Sequence, residues 1–115
     1  MKIRTKRIYE TPTGSDGRRI LIDRLWPRGV SKENAQIDYW AKLVSPSKDL
    51  RQWYRHDPEK WMEFRKRYFA ELDANPEGIA ELKAQLGSGI ATLLFGSKED
   101  RLNNATALRD YLETE

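Results

Sequence analysis

Two short polar segments contain the residue types best suited to binding a ligand. The first follows the apolar run at residues 20–22 and contains Asp23, Arg24, Trp26 and Arg28. The second follows the apolar run at residues 90–95 and contains Ser97, Lys98, Asn103 and Asn104. Two guanidinium groups and an ammonium group supply charge-assisted hydrogen bonds, and the N-terminus of the helix expected after Asn103 adds partial positive charge. If the two segments converge, we expect them to bind a small phosphate- or carboxylate-bearing molecule.

A catalytic function would require a base, and Asp23 is the only candidate among these residues. It directly follows a buried run, so its carboxylate needs a hydrogen-bonding or charged partner whether or not it is catalytic. In the structural alternative, Asp23 pairs with Arg24 or Arg28 to fix the loop, Trp26 packs beneath it and Lys98 is solvated. The sequence leaves the enzymatic and the structural interpretations open.

Several common chemistries find no support in the sequence. The chain has no cysteine and one histidine, His56, so it offers neither a thiolate nor a two-histidine metal site. His56 precedes Asp57-Pro58 and is interpreted as part of a helix-entry turn. The motifs of phosphate-binding loops, dinucleotide-binding folds and nucleophile elbows are also missing. We therefore expect neither a metal nor another cofactor.

The strands that must position the two segments are visible as apolar patterns. Weak alternation predicts a first strand at residues 2–9, and a turn-rich loop follows at 11–17. The runs at 20–22 and 90–95 are typical of strands buried on both faces. Alternation at residues 37–43 favours another strand, although the same residues also permit a helix. The sequence does not determine where the first strand lies in the sheet.

Helices are predicted between and after these strands. Three of them begin at Ser47, at Asp57-Pro58 and at Asn75-Pro76, and a terminal helix covers residues 104–112. In the second helix Trp61, Phe64, Tyr68 and Leu72 recur at helical spacing, which indicates a core stripe rather than a base-stacking surface. The order predicts one α/β domain of 115 residues, with about four mainly parallel strands and helices on both faces. Both polar segments would then lie at the carboxyl edge of the sheet.

Charge and composition suggest two other functions. The net charge is +3, and the first predicted strand contains Lys2, Arg4, Lys6 and Arg7, with Arg18 and Arg19 soon after. These residues would suit nucleic-acid binding, but lysines on an edge strand also prevent aggregation without any partner, which makes nucleic acid the less favoured ligand. A third possibility is an interaction module without a small-molecule site. No segment approaches the roughly 20 apolar residues of a membrane span and no secretion signal is evident, so we expect a cytoplasmic protein.

Several motifs together resemble the YeaO-like family, a bacterial domain of unknown function. They are I-D-R-L-W-P-R-G-V at residues 22–30, Asp57-Pro58 with Trp61 and Phe64, residues 92–95 and Asn103. The resemblance covers essentially the whole chain and implies a small α/β protein. Within this pattern, Asp23, Arg24, Trp26, Pro27, Arg28 and Asn103 match. The resemblance also implies a histidine directly after Asn103, where this chain has Asn104, so any proton transfer by that imidazole would be lost here.

Overall fold

The computed structural model describes residues 2–114, in which four strands and five helices alternate along the chain. The strands are β1 (Lys2–Arg7), β2 (Arg18–Leu21), β3 (Tyr39–Trp40) and β4 (Ile90–Phe95). The helices are α1 (Lys32–Ala35), α2 (Lys48–Tyr54), α3 (Trp61–Asp73), α4 (Pro76–Leu86) and α5 (Asn104–Thr114). Short 3-10 turns occupy residues 14–16, 42–44 and 58–60. None of the helices described is long and apolar enough to cross a membrane.

The strands form one parallel sheet in the order β1-β4-β2-β3, which confirms the predicted α/β class. Strand β4 is central and pairs with β1, where Ile3 faces Ala91, and with β2, where Ile20 faces Leu93. The open question about the first strand is thereby answered, because β1 lies at one edge. Since β2 and β4 are parallel neighbours, the segments that follow them leave the same edge of the sheet.

Both faces of the sheet are covered, but unequally. Alternate strand residues point to opposite faces, so Ile20 and Leu93 face one side whereas Leu21 and Leu94 face the other. The first side packs against helices α2 to α5 and contains the larger core. The second side is covered by Ala35 of α1 and by residues of the neighbouring loops, namely Ile8, Trp26, Val30 and Ile37. The predicted helical stripe is confirmed as core, because Phe64, Tyr68 and Leu72 of α3 are buried and Trp61 packs against them while partly exposed.

A short connection without an α-helix joins β1 to β2 across the second face, and a buried carboxylate anchors it. Asp16 accepts hydrogen bonds from Lys6 Nζ (3.1 Å), from the Thr13 N–H (3.0 Å) and from Arg19. Arg19 also donates from Nε and Nη2 to the carbonyl oxygen of Ala35 (3.0 and 2.8 Å). Burial alone would raise the pKa of Asp16, but the hydrogen bonds from Thr13, Lys6 and Arg19 outweigh it and lower the pKa to about 2.

Two local predictions need correction. The strand expected at residues 37–43 is reduced to Tyr39–Trp40, because residues 42–44 form a 3-10 turn in which the Val44 N–H donates to the Ala41 carbonyl. Helix α1 was not predicted, although Ser31 caps it by accepting the Asn34 N–H at 3.0 Å. Four residues are too few for a hydrophobic period to be visible in the sequence.

Candidate functional site

A cleft of about 600 Å³ opens at the carboxyl edge of the sheet, close to the ends of β2 and β4. Its volume lies in the range typical of small-molecule sites. Four parts of the chain line it: the loop after β2, the region around α2, helix α3, and the segment from β4 to α5. The lining residues are Asp23, Arg24, Leu25, Pro46, Lys48, Arg51, Gln52, Tyr54, His56, Phe64, Ser97, Asn103 and Asn104.

Asp23 connects the loop after β2 to the segment after β4. Its Oδ2 accepts the Gly96 N–H at 2.8 Å, and its Oδ1 accepts a hydrogen bond from Asn104 Nδ2 at 3.1 Å. A Cβ at position 96 would lie 3.0 Å from Oδ2, so glycine permits this close approach. Burial raises the pKa of Asp23, although the hydrogen bonds from Asn104 and Gly96 and the charges of Arg51 and His56 oppose the rise. The sequence suggested that Asp23 pairs with Arg24 or Arg28. In the structure, Asp23 instead accepts hydrogen bonds from Gly96 and Asn104.

Arg51 of α2 lies in the cleft with an unsatisfied guanidinium nitrogen. Its Nε is buried and has no hydrogen-bond partner among residues 2–114. Within the same part of the chain Arg51 forms no ion pair, although its charge acts on the carboxylate of Asp23. A buried donor without a partner is costly, and Arg51 lines the cleft, so an acceptor that reaches this guanidinium group would relieve that cost.

Contacts between α2 and α3 hold Arg51 in place. Ser47 caps α2, since its Oγ accepts the Leu50 N–H at 3.2 Å. Glu71 of α3 accepts hydrogen bonds from the Ser47 N–H (2.9 Å) and from the Ser47 hydroxyl (2.6 Å). The Arg51 N–H then donates to the Ser47 carbonyl at 3.0 Å, which places Arg51 one turn into the helix. The start of α2 is thus fixed to α3, which fixes the backbone position from which the Arg51 side chain extends.

Aromatic side chains form the base of the cleft. The rings of Tyr54 and Phe64 stack with their centroids 4.2 Å apart, and both residues are almost fully buried. The Tyr54 hydroxyl donates to the carbonyl of Leu102 at 2.7 Å, and burial, together with the nearby Glu99 and Asp57 carboxylates, raises the pKa of Tyr54 to about 12. Tyr54 is therefore a neutral donor that ties α2 to the segment before α5.

His56 and Ser97 approach each other at one side of the cleft. The distance between His56 Nδ1 and Ser97 Oγ is 3.4 Å, while the same hydroxyl oxygen accepts the Glu99 N–H at 3.0 Å. Arg55 and His56 both have left-handed backbones, with φ of 48° and 58°, and this reversal after α2 brings the His56 ring to the cleft. From sequence His56 was interpreted only as part of a helix-entry turn, so its place at the cleft was missed.

The two asparagines at the start of α5 have different roles. Asn103 is almost completely buried; its Oδ1 accepts the Thr106 N–H (3.0 Å), and its Nδ2 donates to the Glu99 carbonyl (2.8 Å). Its polar atoms therefore cap the helix. Asn104 donates to Asp23 from Nδ2 and leaves its carbonyl oxygen available as an acceptor.

The other residues predicted from sequence lie outside the cleft lining. Trp26 packs edge-to-face on Trp40, with centroids 5.3 Å apart, and its Nε1 donates to the Val30 carbonyl at 2.6 Å. Arg28 and Lys98 do not line the cleft, and Arg28 is exposed. Among the predicted cations only Arg24 reaches the cleft, so the expected cluster of Arg24, Arg28 and Lys98 does not surround it. Arg51 and Lys48 supply positive charge instead.

The basic residues considered for nucleic-acid binding are largely engaged within the protein. Lys6 bonds to Asp16 and also to the Thr11 carbonyl at 2.8 Å. Arg7 donates from Nε to the Ser97 carbonyl at 2.8 Å. Arg19 is buried. These contacts give the three cations structural roles.

Fold and site together define a class: a small parallel α/β domain with a partly cationic, aromatic-based cleft at the carboxyl edge of its sheet. Over residues 2–114, no group of three histidine, cysteine, aspartate or glutamate side chains is arranged to hold a metal ion. Within this class the chain belongs to the family described as the "Inactive DUF488-N3 subclade", whose model matches residues 2–115.

Two relatives match over almost their whole length. The uncharacterized protein YeaO of Escherichia coli K12 is 37% identical over 114 residues, which are 99% of this chain and 99% of the relative. The uncharacterized protein Rv3073c of Mycobacterium tuberculosis H37Rv is 37% identical over 111 residues, or 96% of this chain and 93% of the relative. The resemblance to the YeaO-like family is thereby confirmed. A search of solved structures gives no significant match.

Proposed function

We propose that this protein binds a small carboxylate- or phosphate-bearing molecule in the cleft, and that it acts by binding rather than by catalysis. The observation that carries the proposal is the buried Nε of Arg51, which has no acceptor among residues 2–114. An anion in the cleft would accept from this guanidinium, and the planar fork of an arginine suits both carboxylate and phosphate. Lys48 and Arg24, both at the cleft, add positive charge that would attract such a molecule.

Three observations favour binding over catalysis. The family description uses the word "inactive". In addition, Asn104 occupies the position for which the YeaO-like resemblance implies a histidine, and an amide does not exchange protons at neutral pH. Among residues 2–114, Asp23 is the one carboxylate in the lining, and it already accepts hydrogen bonds at both oxygens. We also propose a cytoplasmic location, where the cleft would meet phosphorylated and carboxylated metabolites.

The test is a titration of the protein with inorganic phosphate, acetate and citrate in a chloride buffer. Binding is followed by calorimetry and by the NMR resonance of the Arg51 Nε–H. We expect saturable binding that shifts this resonance, because the ligand supplies its missing acceptor. Arg51→Met should weaken binding about tenfold or more, as expected for loss of a charge-assisted hydrogen bond.

Arg28→Met is the matched control. It removes the same charge from an exposed arginine that the sequence suggested as a ligand but that lies outside the cleft. We expect its affinity for the anions to equal that of the unmodified protein. Equal binding by Arg51→Met and the unmodified protein would refute the proposal, and so would the absence of saturable binding by these three anions and by short-chain carboxylates and amino acids alike.

A further inference from the structure

The carboxylate of Asp23 is difficult to reconcile with a ligand that is only anionic. Asp23 and Arg51 line the same cleft, yet they form no ion pair with each other. An anion bound to Arg51 would lie near the negative charge of Asp23 and would be repelled by it. A cleft that presents a cation and a separate carboxylate complements a ligand that has both charges.

Asp23 also retains hydrogen-bonding capacity. An ionised carboxylate offers about four acceptor positions, and the protein fills two of them, through the Gly96 N–H and the Asn104 amide. Those two donors are both uncharged, so the partly buried charge of Asp23 lacks a close counterion among residues 2–114. A ligand ammonium group would supply both a donor and a positive charge.

We infer that the ligand of this cleft is a zwitterion of the amino-acid type, whose anionic group binds Arg51 and whose ammonium group binds Asp23. This inference rests on the proposed function and narrows it to one chemical class. The aromatic base formed by Tyr54 and Phe64 would contact the carbon chain between the two charged groups. A cleft of about 600 Å³ has room for such molecules over a range of chain lengths.

Matched pairs of probes test the inference with the unmodified protein. The amino acids are glycine, β-alanine, γ-aminobutyrate and δ-aminovalerate, and each is compared with its amine-free counterpart, namely acetate, propionate, butyrate or valerate. Affinities are measured by calorimetry near neutral pH. At the chain length that spans the two groups, we expect the amino acid to bind about tenfold or more tightly than its counterpart.

The variant Asp23→Asn should abolish this preference for the amine. The amide remains isosteric, and rotation of the Asn104 amide lets its oxygen accept from the new Nδ2, so both neighbouring contacts can be kept. Affinity for the amine-free carboxylates should stay equal or increase in this variant. Asp49→Asn, the same change at an exposed position of α2 outside the cleft lining, should retain the preference.

The outcomes separate the two proposals. Arg51-dependent binding of the carboxylates with equal affinity within every pair would overturn the zwitterion inference and leave the anion site standing. The zwitterion inference also fails if carboxylate binding takes up a proton, because Asp23 would then be neutralised by protonation rather than by the ligand. Absence of binding by every probe would overturn both proposals. The pairwise comparison needs no variant, so it remains decisive even if Asp23→Asn fails to fold.

Discussion

Replacing Arg51 with methionine should stabilise the ligand-free protein, which is unusual for a change at a partly buried position. A buried polar atom without a hydrogen-bond partner costs about 1–3 kcal/mol. Because Arg51 as a whole is only partly buried, we use the middle of this range. Loss of its attraction to Asp23, with which it forms no ion pair, opposes the gain by about 1 kcal/mol. Methionine is flexible enough to pack against the apolar wall of the cleft, so the expected net gain is about 1 kcal/mol.

The free energy of unfolding is measured by urea denaturation in a buffer free of phosphate and carboxylates, and the melting temperature is measured by thermal unfolding in the same buffer. A gain of about 1 kcal/mol corresponds to a rise of roughly 4 °C in the melting temperature of a domain of this size. Arg28→Met, which replaces an exposed arginine outside the cleft, controls for the change in charge and should have little effect.

A bound ligand should make the unmodified protein more stable than Arg51→Met, which reverses their order of stability. An anion that binds the folded protein at a hundred times its Kd stabilises the unmodified protein by about 2.7 kcal/mol, but it should not stabilise Arg51→Met to the same extent. If Arg51→Met is instead clearly less stable than the unmodified protein without ligand, Arg51 has a structural role and the reasoning fails.

Two further predictions concern the connection between β1 and β2. Asp16 has its pKa lowered to about 2 from an ordinary value of 3.8, so the stability it contributes, on the order of 2 kcal/mol, is present above that ordinary value and is lost as the pH falls towards 2. Chemical denaturation should show Asp16→Asn less stable at pH 7, with a difference that shrinks on acidification; a constant difference would contradict this. Gly17 has φ of 64°, and a Cβ there would lie 2.1 Å from the Ile90 carbonyl oxygen, whereas a Cβ at Gly14 meets nothing within 4 Å. Gly17→Ala should therefore cost more than about 2 kcal/mol in the same measurement and Gly14→Ala much less, and equal costs would refute the steric argument.

The order of the main elements could be predicted from local patterns. The runs at residues 20–22 and 90–95 are long enough and apolar enough to indicate strands buried on both faces, and cap residues such as Ser47 and Asn75 mark helix starts. Helices between buried strands favour a parallel arrangement, so the sequence also indicated which loops share an edge. The parallel arrangement correctly predicted that Asp23 and Asn104 lie close together, and their side chains are in hydrogen-bond contact.

Other features have no local pattern. Strand β1 at the edge, β3 with two residues and the short connection held by Asp16 all depend on contacts between residues far apart in the chain. Arg28 was a reasonable site residue from sequence because Pro27 and Gly29 constrain its backbone, yet its side chain lies outside the cleft. A constrained backbone fixes where a residue lies but does not determine what its side chain faces.

Arg51 shows most clearly how a feature of the folded chain can be invisible in the sequence. In the sequence it is one of two arginines in the same short helical region, and nothing in its neighbours separates it from Arg55. Apolar runs and helix caps are local properties, so they were enough to predict the parallel α/β order and the polar segments at the carboxyl edge. The buried, unsatisfied nitrogen of Arg51 in a cleft shared with Asp23 became visible only in the folded chain, because burial depends on how Glu71 fixes α2 and on where the segment after β4 packs.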